Sequence, residues 1–245
     1  MRVVHGQPPS ETGRHHGLAW ARFDPDPSRP AHGAVVILHG ADSCKENQFD
    51  FARTAALAGL VAVGFDARGH GETGGELDGR VLDDVAAMCD RACGWLAGLA
   101  DGPAAARLAL RGSSMGGYLA LVTAAEVGAD AVVAVCPAGD EGLRRGLREG
   151  RFAFAVDRPA VELLLDRHGV HAAAAGLDVP LLLMHATGDL SVPVEQSREL
   201  AALAPQAKLV EMPGGHHQSI QHDGELTGVS VRFLTRALRA SADRL

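Results

Sequence analysis

Three residues in this chain have the types and the order that acyl-transfer chemistry needs: Ser114, Asp189 and His216. Ser114 is the centre of Gly112-Ser113-Ser114-Met115-Gly116. A serine framed in this way sits on a sharp corner with its hydroxyl exposed, and the flanking glycines let strand and helix pass close together. Ser113 lies off the centre of the frame and reads as a turn residue. A serine hydroxyl is a poor nucleophile at neutral pH and needs a base, and the base needs a partner that fixes its tautomer. Asp189 follows the apolar run Leu181–Met184 and precedes Pro193, which suits the partner's role; Asp140 is the reserve. The base comes from Met212-Pro-Gly-Gly-His216-His217. His216, directly after Gly215, is preferred, with His217 as the alternative. The chain order Ser, Asp, His is the one that accompanies this kind of elbow.

The developing oxyanion needs backbone N–H donors. One is expected from Met115, the residue after the nucleophile. The other is expected from Ala41, in Leu38-His39-Gly40-Ala41-Asp42. His39 reads as a structural histidine bonded to nearby backbone. None of this chemistry calls for a metal or an organic cofactor.

These groups must be held by strands and helices, and the hydrophobic pattern supplies them. Ala34–Leu38, Leu60–Phe65, Ala131–Val135, Leu181–Met184 and Lys208–Met212 are short apolar runs of the kind buried in a parallel sheet. A strand pattern runs into the elbow and a helical one, Tyr118–Ala125, leaves it. Gly17–Phe23 alternates weakly and is a possible early strand. Helical spacing marks 49–58, 83–99, 195–203 and 225–238. Strands alternating with helices predict an α/β fold with a mostly parallel central sheet and helices on both faces. Reactive groups in such sheets gather at the carboxyl ends of strands.

At 245 residues and 47% hydrophobic content, the chain fits one domain, 1–245, with a sizeable core. A net charge of −7 argues against a nucleic-acid backbone as partner. No apolar segment is long enough to span a bilayer, and no apolar run follows the charge near Met1, so no membrane partner or signal peptide is expected. A cytoplasmic location is the default. The four cysteines, Cys44, Cys89, Cys93 and Cys136, lack zinc-ligand spacing and read as reduced thiols.

The chain resembles the α/β-hydrolase superfamily over nearly its whole length. The resemblance rests on Leu38-His39-Gly40 with Ser43 and Lys45, on Phe65-Asp66-Ala67-Arg68-Gly69-His70-Gly71, on the elbow at Ser114, on Gly188-Asp189 with Val192-Pro193, and on Gly214-Gly215-His216. It implies that Asp66, Arg68 and His70 shape a turn rather than catalyse. It implies a small helical cap inserted at about 138–177, over the nucleophile. Phe152 and Phe154 in that insert are pocket or packing residues. Arg144, Arg145, Arg148 and Arg151 form a local basic cluster that reads more simply as a solvated face than as an anchor for an acidic substrate. His168 and His171 read as surface residues.

The expectation is a serine hydrolase cleaving a carboxylic ester, thioester or amide of a small molecule through an acyl-enzyme on Ser114. The alternatives are an acyltransferase or peptidase with the same triad, and a binding protein of this fold without turnover.

Overall fold

The computed structural model describes residues 6–28, 31–99 and 107–242. The chain runs β1 (Glu11–His15), β2 (Leu18–Phe23), β3 (Gly33–Leu38), α1 (Phe49–Leu57), β4 (Leu60–Phe65), α2 (Val81–Leu99), β5 (Leu108–Ser113) and α3 (Met115–Thr123). It continues through β6 (Ala131–Val135), α4 (Asp140–Arg148), α5 (Arg158–Arg167), α6 (Val170–Ala175), β7 (Leu181–Ala186), α7 (Val194–Leu203), β8 (Ala207–Met212) and α8 (Gly224–Ala242).

The strands form one sheet in the order β1-β2-β4-β3-β5-β6-β7-β8. From β4 to β8 every pairing is parallel, and β1 and β2 pair antiparallel at one edge. Each central strand sends alternate side chains to opposite faces. In β3, Ala34, Val36 and Leu38 enter the core shared with α2, α3 and α7, while Val35 and Ile37 enter the core shared with α1 and α8. β7 divides likewise, with Leu181 and Leu183 on one side and Leu182, Met184 and Ala186 on the other. Both faces are therefore covered, as continuous apolar strands require.

β1 was not expected. It pairs with β2 through a two-residue turn in which His16 (φ 49°) and Gly17 (φ 85°) are both left-handed. That is the turn geometry hairpins favour, and Gly17 meets it without steric cost.

The segment between β6 and β7 carries α4, α5 and α6. α6 packs on α3 and α7, within the helical layer. Residues 151–157 instead cross the carboxyl edge of the sheet and are pinned there by backbone. Leu77 N–H donates to the Ala155 carbonyl (2.8 Å) and Asp157 N–H to that of Leu77 (2.9 Å). The Asp42 carboxylate accepts from the Ala153 (2.7 Å) and Phe154 (3.0 Å) amides.

Candidate active site

Five strand ends converge at the carboxyl edge, and each contributes a loop. At the end of β5 the backbone bends at Ser114, with φ 54° and ψ −119°. This is a region non-glycine residues avoid, and it persists only where the surroundings enforce it. Here the Ser114 N–H donates to the Val135 carbonyl (2.9 Å), and the Ser114 carbonyl accepts from Tyr118 N–H (3.0 Å) and Ala138 N–H (3.1 Å). A Cβ on Gly112 would overlap the Gly116 carbonyl, and one on Gly116 would overlap that of Leu38. Both glycines are therefore steric requirements of the corner. Ser114 is partly exposed, whereas Ser113 is buried and donates its hydroxyl to Gln221 Oε1 (3.0 Å).

The loop after β3 lies against this corner. A Cβ on Gly40 would approach Ser114 Cβ to 3.2 Å. His39 holds the loop in place. It is 2% exposed, its Nδ1 donates to the Gly40 carbonyl (2.7 Å), and its Nε2 accepts from the Ala67 amide (3.0 Å). Nε2 accepts from an amide, so it carries no proton and the ring is neutral. Burial lowers its pKa to about 4. Ala41, the next residue, faces the cavities beside Ser114. Met115 begins α3, so its N–H has no acceptor one turn back.

Asp189 follows β7, with its side chain wholly buried. Oδ1 accepts from the Ser191 (2.8 Å) and Val192 (2.9 Å) amides, and Oδ2 accepts from His217 Nδ1 at 2.6 Å. Burial pushes the carboxyl pKa up, but the His185 ring beside it and the hydrogen bonds from His217 and the Val192 amide outweigh it and hold the group well below the usual carboxylate range. Asp140, the reserve, is engaged elsewhere: its carboxylate accepts from the Val170 amide at the start of α6 (2.8 Å).

The preference for His216 is corrected here. His217, not His216, touches Asp189 and lines both cavities with Ser114. His216 is exposed and opens a tight turn, its carbonyl accepting from Ser219 N–H (2.9 Å) and its own N–H donating to Ser219 Oγ (2.8 Å). Gly214 (φ 70°) and Gly215 (φ 72°) bring the chain into that turn. Gly188 N–H donates to the Gly214 carbonyl (2.9 Å), and a Cβ on Gly188 would lie 2.5 Å from the Gly215 carbonyl. The loops after β7 and β8 are thus knitted together, and the turn carries residue 217 inward. The one sequence signal for this turn is Ser219, three residues past His216.

Sequence reading also missed His185. It is fully buried on β7; its Nε2 donates to the Val192 carbonyl (2.9 Å), its Nδ1 accepts from Ser197 Oγ (2.7 Å), and Nε2 lies 3.5 Å from Asp189 Oδ2. It braces the aspartate loop from beneath. A histidine inside an apolar strand gives no hint of that from spacing alone.

Asp66, Arg68 and His70 hold structure. Asp66 accepts from the Lys45 amide (2.7 Å), Lys45 Nζ (2.8 Å) and the Glu72 amide (2.9 Å). Arg68 binds Asp84 through two nitrogens (2.5 and 2.7 Å), and the His70 ring lies 4.2 Å from that of Phe154.

Two cavities meet at Ala41, Ser114 and His217. The smaller, about 190 Å³, is walled by Ser43, Asn47, Gln218, Gln221 and His222. The larger, about 520 Å³, lies under α4 and residues 151–152, facing the start of α7. Phe152 lines it, whereas Phe154 packs on His70. Cys136, Asp189 and His217 have metal-ligating atoms within 4.8 Å of one another. An ion there would have to break the Asp189–His217 bond and ionise a thiol that burial pushes up to about 12.

A protein-family profile described as "Serine aminopeptidase, S33" matches residues 29–155, just over half of the chain. The matched span includes the elbow and the His39 loop but ends before Asp189 and His217. No curated protein matches the chain. Among solved structures, the monoacylglycerol lipase of Paleococcus ferrophilus is similar at TM-score 0.68 and 19% identity, over 90% of this chain and 99% of that one. Est1E of Butyrivibrio proteoclasticus with ferulic acid bound gives TM-score 0.74 and 17% identity, over 96% of this chain and 100% of that one. A soluble variant of the Saccharomyces cerevisiae monoglyceride lipase, in complex with a substrate analogue, gives 0.71 and 14%, over 99% and 98%. Among the described residues, no helix is long and apolar enough to cross a membrane.

Proposed function

We propose that this chain, which belongs to the serine aminopeptidase (S33) family of the α/β-hydrolase superfamily, cleaves a carboxylic ester of a small substrate through an acyl-enzyme on Ser114. The observation that carries the reading is the 2.6 Å Asp189–His217 bond. It sits where His217 shares a cavity with a serine held at φ 54°.

His217 is the base in this reading. Its Nδ1 proton is engaged by Asp189, which leaves Nε2 as the acceptor for the Ser114 hydroxyl proton. As Ser114 Oγ bonds to the ester carbonyl carbon, the carbonyl oxygen becomes an oxyanion, and the Ala41 and Met115 N–H groups stabilise it. The alkoxide leaves with the proton that His217 Nε2 holds. Water then attacks the acyl-serine, with His217 again taking and returning a proton, and the acid is released. Asp189 stays ionised throughout and supports the imidazolium. These steps use only side chains and backbone amides of this chain. α4 and residues 151–157 act as the cap, closing the larger cavity over Ser114.

The family description names an aminopeptidase, whereas two of the similar solved structures are monoglyceride lipases and a third is Est1E bound to ferulic acid. An assay therefore pairs p-nitrophenyl esters of graded chain length with aminoacyl p-nitroanilides. Ester turnover should exceed anilide turnover, and Ser114→Ala should lower kcat by about 10⁵-fold. A Ser114→Ala protein within tenfold of wild type overturns the reading. Faster anilide than ester cleavage makes the protein a peptidase.

A further inference from the structure

The larger cavity beside Ser114 presents two hydrogen-bond donors without acceptors. We infer that they receive a carboxylate at the far end of the acyl chain, so that the preferred substrates are half-esters of aliphatic dicarboxylic acids. This rests on the ester-cleaving reading above.

The first donor is Arg145, on α4. It is exposed, lines the cavity and, among the described residues, pairs with no acid. The rest of its cluster is occupied. Arg144 binds Asp166 (2.7 Å) and Glu141 (3.4 Å), Arg148 reaches Glu141 (3.5 Å), and Arg151 pairs with Glu149. The second donor is Gln196, near the start of α7 on the facing wall. Its Nε2 is buried and bonds to nothing. Gly139 has no side chain to keep it away, since a Cβ there would overlap Gln196 Oε1.

The same cavity also has acidic neighbours, and each is already engaged. Glu141 serves Arg144, Glu195 serves Arg198 (3.1 Å), Glu199 meets His171 (3.2 Å), and Asp42 accepts two backbone amides. Arg145 and Gln196 Nε2 are side-chain donors of this cavity that meet no protein acceptor among the described residues. Gln196 Nε2, buried without an acceptor, carries a desolvation cost that a ligand oxygen would relieve, and the Arg145 guanidinium makes its strongest bonds to an ionised partner. A carboxylate offers two oxygens and a negative charge, and so answers both donors at once. An alkyl terminus answers neither.

The acyl side is the right one on geometric grounds. His217 must hand its proton to the leaving group, and the smaller cavity, which no Asp, Glu, Lys or Arg lines, is built in part from residues that follow His217 in its own loop, Gln218, Gln221 and His222. That cavity suits a leaving alcohol. The larger one, with Leu143 and Phe152 on its wall, suits a methylene chain ending in an anion.

Monomethyl adipate and methyl hexanoate make the test, being matched in length and differing only at the far terminus. Wild-type protein should favour monomethyl adipate in kcat/KM by about tenfold or more, the value of one charge-assisted bond. Arg145→Gln should abolish that ratio, and Arg145→Lys should keep part of it. A wild-type preference for methyl hexanoate, or an unchanged ratio in Arg145→Gln, overturns the inference. Cleavage of both esters without preference overturns the inference alone and leaves the ester-cleaving reading standing. Failure to cleave these and every p-nitrophenyl ester overturns that reading itself.

Discussion

At the scale of single residues, the assignment turns on two neighbouring imidazoles. His217 bonds to Asp189 at 2.6 Å and lines the Ser114 cavities; His216 faces solvent and only its backbone is used. His217→Ala should therefore lower kcat on a p-nitrophenyl ester by about 10⁴-fold or more, while His216→Ala should change it by less than about fivefold. Asp189→Asn should lower it by about 10⁴-fold, because an amide no longer fixes the imidazole tautomer. Comparable losses in both histidine variants would remove the distinction. The turns that carry Ser114 and Asp189 were legible in the sequence because glycines and a proline mark them. The histidine was not, because a step of one residue reverses which side chain points inward. That step is set by a turn that Ser219 closes through hydrogen bonds, which hydrophobic spacing does not encode.

At the scale of elements, the corner between β5 and α3 leaves no room for a methyl group. Gly112→Ala would drive a Cβ into the Gly116 carbonyl, and neither backbone can retreat without losing the strand register or the helix start. The expected loss is about 3 kcal/mol or more of unfolding free energy, read from urea denaturation. A change under about 1 kcal/mol would mean that the corner is looser than its geometry implies. The strands of the core were readable because both their faces are buried: β4 and β6 begin and end where their apolar runs do. β1 was not, since Glu-Thr-Gly-Arg-His is polar, lies at the sheet edge and is largely exposed. Its place is set by the hairpin turn and by Gly13, which lets the Trp20 ring lie across it. A cap at about 138–177 was an expectation from family resemblance, and residues 151–157 of that segment lie against the sheet edge. Its attachment through Asp42 and Leu77 involves backbone amides, which leave no mark in side-chain pattern.

At the scale of the whole molecule, buried neutral histidines tie stability to pH. His39 has its pKa lowered from 6.5 to about 4 by burial, and burial lowers that of His70 as well. An unfolded chain binds a proton at His39 below about 6.5, while the folded chain does not until about 4. The contribution is thus complete above 6.5 and is lost as pH falls through that window, by about 3 kcal/mol at most. Asp189 acts in a lower range. Its depressed carboxyl adds stability above its ordinary value of 3.8, lost only as the pH drops below that. Unfolding free energy measured by denaturant should fall between pH 6.5 and 4, and His39→Gln should flatten the slope. A slope identical in both proteins would mean that His39 is not the neutral brace described. The same bracing holds the Ala41 loop against Ser114, which links the packing of the sheet to the chemistry at its edge. That chemistry is tested most directly by the rate at which a fluorophosphonate attaches to the Ser114 peptide, followed by mass spectrometry in wild-type, His216→Ala and His217→Ala proteins. Wild type and His216→Ala should react at similar rates on Ser114, and His217→Ala should react about a thousandfold or more slowly. Attachment at another residue, or equal rates in wild type and His217→Ala, would contradict the account.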